Sequence, residues 1–143
     1  MIRSVRHTGI VVRDLEKTAN FYRALGFVDD NQALEEGEFI DQVTGLVNTK
    51  LEWIKLTAPD GYILELLQYH SHPENTEITQ QKSNKLGSSH MAFSVDNIDR
   101  ICEKIEQLGG FIVNPPALTN DKKIKVAYCH DLEGVLMEIV EVL

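Results

Sequence analysis

Two histidines and two glutamates recur at matched places in the chain: His7, Glu65, His90 and Glu138. The stretch H-T-G-I-V-V-R-D-L-E-K from His7 aligns without a gap on H-M-A-F-S-V-D-N-I-D-R from His90. That alignment puts Val12 on Val95, Leu15 on Ile98, Leu25 on Leu108 and Gly26 on Gly109. Further along, D-G-Y-I-L-E-L-L ending at Leu67 aligns on E-G-V-L-M-E-I-V ending at Val140. This is an internal repeat, and each copy carries one histidine and one glutamate. Two imidazoles and two carboxylates suit Zn, Ni, Co, Mn or Fe(II) rather than a thiol-ligated structural zinc. Four protein ligands leave two cis positions of an octahedron for water or substrate oxygens. A metal so held polarises a carbonyl and makes a neighbouring C–H proton removable. A loosely bound carboxylate, Glu138 or Glu65, is then placed to take that proton as general base.

The elements that must position these residues follow from the same repeat. Val5 to Val12 alternates as a strand, with Ile10 and Val12 on one face and His7, Gly9 and Val11 on the other. Asp14 is the expected cap of a helix with Leu15, Ala19, Tyr22 and Leu25 at helical spacing, ended by Gly26. Ser88 to Val95 alternates in the same way, and Asn97 or Asp96 caps a second helix bearing Ile98, Ile101, Cys102, Ile105 and Leu108. Leu51 to Thr57 and Tyr62 to Leu67 form a hairpin around Pro59-Asp60-Gly61, and Lys123 to His130 with Val135 to Val142 form its counterpart. Weaker strand signals lie near Phe27–Asp30 and Phe111–Asn114, while Gln32 to Asn48 and His70 to Lys85 read as loops.

The expected fold is therefore α+β, with two tandem β-α-β-β-β modules whose mixed sheet curves around a metal cleft. Module one covers about 1–69, a linker about 70–85 and module two about 86–143 of one domain. Glu65 lies between Ile63-Leu64 and Leu66-Leu67, and Glu138 between Met137 and Ile139. A carboxylate in such a strand is costly to bury unless paired or metal-bound. The conflict appears twice, each time with a histidine at the matching place, so one shared cation is the expectation.

Composition bounds the rest. The net charge of −8 argues against nucleic acid, whose phosphates demand a Lys/Arg surplus on some face. Lys122, Lys123 and Lys125 form a small basic cluster, read as a solvated loop. No apolar run approaches the roughly 20 residues of a membrane span. Met1-Ile-Arg-Ser-Val leads into a strand-like pattern without a signal-peptide core, and the cytoplasm is expected. Cys102 and Cys129 form no C-x-x-C pair or disulfide framework, and Cys102 reads as a core residue. His70 and His72 read as loop residues; His130, beside the turn before the final strand, lacks the repeat's symmetry and reads as outside the site, with a place at the cleft mouth as the alternative.

The motifs H-T-G-I-V-V-R-D-L-E-K-T-A-N-F-Y-R-A-L-G-F, P-D-G-Y-I-L-E-L, S-H-M-A-F-S-V-D-N-I-D and G-V-L-M-E-I resemble the vicinal-oxygen-chelate superfamily. That superfamily includes glyoxalase I, methylmalonyl-CoA epimerase, extradiol dioxygenases and drug-resistance proteins. The resemblance implies paired modules around one divalent metal, commonly in a homodimer, with the ligand positions of glyoxalase I falling on His7, Glu65, His90 and Glu138. It implies a lyase or isomerase acting on a small α-hydroxy-carbonyl, thiol adduct or acyl thioester. An epimerase-like isomerase, a drug-binding or resistance protein and an Fe(II) extradiol dioxygenase are the alternatives. Where glyoxalases carry a glutathione-binding Arg, an Asn and a further Arg, this chain has Val11, Tyr69 and Leu86. Weak or absent use of glutathione is therefore expected.

Overall fold

A computed structural model describes residues 1–77, 79–87 and 89–143. Asp14 caps helix α1 (Leu15–Ala24) by accepting from Lys17 N, and Asn97 caps α3 (Ile98–Gln107) by accepting from Arg100 N. Each helix also receives a cap from far along the chain. Leu15 N donates to Gln68 Oε1 at 2.8 Å, and Ile98 N donates to Glu141 Oε2 at 2.9 Å. Gln68 and Glu141 each lie three residues beyond a candidate glutamate, so the repeat extends to the tie between helix and sheet. Gly26 and Gly109, just past the helix ends, have φ of 109° and 91°, a region that favours glycine.

The chain divides into two units, Met1–Thr76 and Glu77–Leu143. In the first, strands β1 (Thr8–Val11), β2 (Val28–Glu36), β3 (Lys50–Thr57) and β4 (Ile63–Tyr69) form a sheet of order β1-β4-β3-β2. In the second, β5 (Met91–Ser94), β6 (Phe111–Ile112), β8 (Ile124–His130) and β9 (Leu136–Val142) run in order β5-β9-β8-β6, with β7 (Ala117–Leu118) also paired to β8. Both sheets are mixed. β1 pairs parallel with β4 and β5 parallel with β9, whereas the hairpins β3–β4 and β8–β9 are antiparallel. The fold is α+β, as the sequence leads one to expect.

The core of each unit lies between its helix and one face of its sheet. Phe21 and Tyr22 of α1 are buried with Ile54, Leu56, Leu64 and Leu66, and Ile98 and Ile105 of α3 with Cys129, Met137 and Ile139. Burying such side chains is worth about 1.5–3 kcal/mol each.

Three expectations need correction. The stretch Gln32 to Asn48 is not a loop: β2 runs to Glu36, and helix α2 (Glu38–Thr44) follows, ended by Gly45 in the left-handed region. The first strand begins at Thr8 rather than Val5, where its register with β4 begins at Leu64. The second module's first strand begins at Met91 rather than Ser88; Ser88 itself lies outside the described residues.

Candidate functional site

Leu64 and Leu66 are fully buried under α1, and strand alternation turns Glu65 to the opposite sheet face. His7 immediately precedes β1, which pairs with β4 so that Gly9 faces Glu65. The result is a contact of 3.0 Å between His7 Nε2 and Glu65 Oε2. The second unit repeats it. His90 immediately precedes β5, Ala92 faces Glu138 on β9, and His90 Nε2 lies 3.3 Å from Glu138 Oε2. All four side chains keep part of their surface exposed, Glu65 least at 13%.

The donor atoms fit a metal. Two donors at about 2.1 Å from one ion, at right or tetrahedral angles, stand about 3.0–3.4 Å apart. Both pairs fall in that range. Gly9 leaves space over the first pair: a Cβ there would lie 3.8 Å from Glu65 Oε2 and 3.2 Å from Leu67 Cδ1. Within each unit the described residues bring two potential ligands together, and no set of three or more His, Cys, Asp or Glu forms a cage among them.

The surroundings of the two carboxylates differ. Lys55 lies across the β3–β4 ladder from Glu65, with Nζ 3.4 Å from Oε1 and 4.4 Å from the centre of the Trp53 ring. Trp53 Nε1 in turn donates to Glu35 Oε1 at 3.4 Å. Across from Glu138 stands Tyr128, whose ring meets His90 edge-on at 5.2 Å between centroids. The sequence reading overlooked Lys55. Hairpin register was the available signal, because a turn closed by Ala58 N donating to Tyr62 O folds Glu65 onto Lys55.

The remaining histidines and lysines fall elsewhere. His130 is buried, donates through Nε2 to the Gln81 carbonyl at 2.8 Å and lies against Phe111. Its Nδ1 has no hydrogen-bond partner among the described residues. His70 pairs with Glu52, and His72 Nδ1 with Ser71 Oγ. Lys125 pairs with Asp99 on α3, away from the Glu138 face. Cys102 and Cys129 are free and buried, and burial pushes the Cys129 thiol up to about 12.

Comparison with known proteins gives the family of the chain. Residues 4–139 match the Glyoxalase/Bleomycin resistance protein/Dioxygenase superfamily, and the chain belongs to it. A lactoylglutathione lyase of Pseudomonas putida is 26% identical over 148 aligned positions, covering 94% of this chain and 83% of that protein. The crystal structure of a glyoxalase family protein from Bacillus cereus superposes with a TM-score of 0.91 at 25% identity, covering 100% of this chain and 96% of that one. A variant of the fosfomycin resistance protein FosX from Listeria monocytogenes, complexed with Mn(II) and 1S,2S-dihydroxypropylphosphonic acid, shares the fold. Its TM-score is 0.64 at 18% identity, over 97% of this chain and 90% of that one. No helix among the described residues is long and apolar enough to cross a membrane.

Proposed function

We propose that this chain is a metal-dependent lyase or isomerase of the glyoxalase I type, using one divalent ion held by His7, Glu65, His90 and Glu138. The observation that carries the reading is the repeated His–Glu pair, with donor atoms 3.0 and 3.3 Å apart on the sheet faces that the helices leave uncovered. Family membership and the distant likeness to lactoylglutathione lyase support it. Zn, Ni, Co, Mn or Fe(II) suits this donor set, and FosX with its Mn(II) is a relative by fold. A bound ion would supply Lewis-acid polarisation of a substrate carbonyl.

The chain's own groups do the rest. The substrate of this reading is a small α-hydroxy-carbonyl, thiol adduct or acyl thioester. Glu138 is the preferred base of the two carboxylates. Its ion pair among the described residues is with His90 alone, whereas Glu65 divides its oxygens between His7 and Lys55. Glu138 therefore keeps an oxygen open to a substrate proton among the described residues, whereas both oxygens of Glu65 are engaged. Glutathione is disfavoured as the thiol. Val11, Tyr69 and Leu86 offer no cation for its carboxylates, and an unpaired carboxylate in a binding site loses affinity steeply. A cytoplasmic homodimer completes the proposal.

The test is a steady-state comparison of metal-free and metal-loaded protein on the methylglyoxal–glutathione hemithioacetal and on methylmalonyl-CoA, alongside solvent-deuterium exchange into small α-hydroxy-ketones. Metal-dependent exchange is expected, with the glutathione adduct turned over below about 10⁴ M⁻¹s⁻¹ in kcat/KM. A higher value would refute the specificity argument. Absence of metal-dependent exchange or turnover on every substrate would refute the enzymatic reading.

A further inference from the structure

Lys55 is the unexplained charge beside the candidate ligands. A lysine across a β-ladder from a glutamate is ordinarily a modest cross-strand pair. Here three observations ask more of it. The second unit holds Glu138 at the equivalent position with Tyr128 opposite, so a glutamate at this place needs no lysine across from it. The ammonium also has a seat of its own, 4.4 Å from the centre of the Trp53 ring, and that indole is tied to Glu35. Finally, Lys55 meets Oε1 of Glu65 while His7 meets Oε2, so the ammonium and the candidate metal donor atoms lie on different sides of one carboxylate.

On the reading that Glu65 Oε2 and His7 hold a divalent ion, much of the carboxylate's charge is drawn to that ion. The ammonium, kept at the same sheet face by Trp53 and 24% exposed at its side chain, keeps Glu65 Oε1 as a neighbour but is only partly neutralised by a carboxylate it shares with the ion. In a chain of net charge −8, a cation in such a place has a ligand as its natural partner.

We propose that Lys55 is a specificity-determining residue that receives an oxyanion of the substrate, a carboxylate, phosphate or phosphonate carried next to the oxygen that meets the ion. This deepens the proposed function and rests on its metal site. Recognition of the anion then comes from β3 of the first unit and not from the basic cluster of Lys122, Lys123 and Lys125.

The experiment uses two probes with one chelating group, acetohydroxamate and malonomonohydroxamate, the second bearing an added carboxylate. Calorimetry first measures Zn(II) or Mn(II) uptake by the whole chain, then binding of each probe to the loaded protein. The carboxylated probe should bind at least tenfold more tightly to the unmodified protein. Lys55→Met should abolish that preference while keeping acetohydroxamate binding, and Lys55→Arg should retain it. Equal binding of the two probes by the unmodified protein, which needs no variant to fold, overturns the proposal. So does a preference that survives Lys55→Met. A protein that takes up no ion sinks the metal reading and this proposal together; one that takes up the ion without discriminating between the probes sinks this proposal alone.

Discussion

Lys55 and Tyr128 are counterparts in the repeat, each standing directly across its hairpin from a candidate ligand, Glu65 for the first and Glu138 for the second. The two His–Glu pairs are therefore alike in donor geometry and unlike in surroundings. One carboxylate shares its charge with an ammonium, and the other lies beside an aromatic ring that packs edge-on against His90.

That difference separates metal affinity from catalysis. Glu65→Gln, Glu138→Gln and His90→Ala should each weaken binding of Zn(II) or Mn(II) by at least tenfold, since even partners of metal ligands change affinity by about 10–100-fold. Far-ultraviolet circular dichroism should be unchanged. With metal supplied to saturation, Glu138→Gln should lose solvent-deuterium exchange more completely than Glu65→Gln. Calorimetry and exchange rates measured by NMR read the two effects separately. Full metal affinity in both glutamate variants would remove these residues from the ligand set.

The thiols give a prediction about pH. Cys129 is fully buried, and its thiol is pushed up to about 12 by burial first, with Cys102 and Asp131 adding to the shift. Burial likewise raises the Cys102 thiol. Native protein at pH 8 should therefore leave both cysteines unreacted with a disulfide reagent, because the thiolate fraction of Cys129 is only ~10⁻⁴. Unfolded protein should react at both. Between the ordinary thiol range and about 12 the native state binds the extra proton, so stability falls as pH rises, by up to about 1.4 kcal/mol per pH unit for Cys129. Urea titrations at pH 8, 9 and 10 should show that slope, and Cys129→Ala should reduce it. Rapid labelling of the native protein at pH 8 would contradict the burial argument.

Much of this architecture was legible because the repeat constrains each half twice. Asp14 and Asn97 announce their helices, and the alternation around Leu64-Glu65-Leu66 fixes which face the carboxylate takes. The missed parts lack such local signals. V-D-D-N-Q-A-L-E-E has little of a strand's composition, and β2 forms because β3 pairs with it, through an irregularity between Asp29 and Asn31. Helix α2 buries Ile40 while Phe39 and Val43 stay exposed, so it has no apolar stripe to announce it. Lys55 was passed over for another reason. Alternation along one strand shows a side chain's face, but only the register across the hairpin shows its neighbour.

The long-range caps supply the last prediction. An N-terminal helix N–H has no intrahelical acceptor, and a side chain that accepts from it is worth about 0.5–2 kcal/mol. Gln68 and Glu141 do this from the sheet, for Leu15 and Ile98, so each also ties a helix to the strand that carries a candidate ligand. Gln68→Ala and Glu141→Ala should each cost about 1–2 kcal/mol, or roughly 3–8 °C in Tm. Glu141→Gln keeps the acceptor and loses only the favourable charge at the helix N-terminus, a loss of about 0.3–1 kcal/mol. The order of Tm should therefore be unmodified protein, Glu141→Gln, then Glu141→Ala. A Glu141→Gln variant as unstable as Glu141→Ala would show that charge, and not the hydrogen bond to Ile98 N, is what this position supplies.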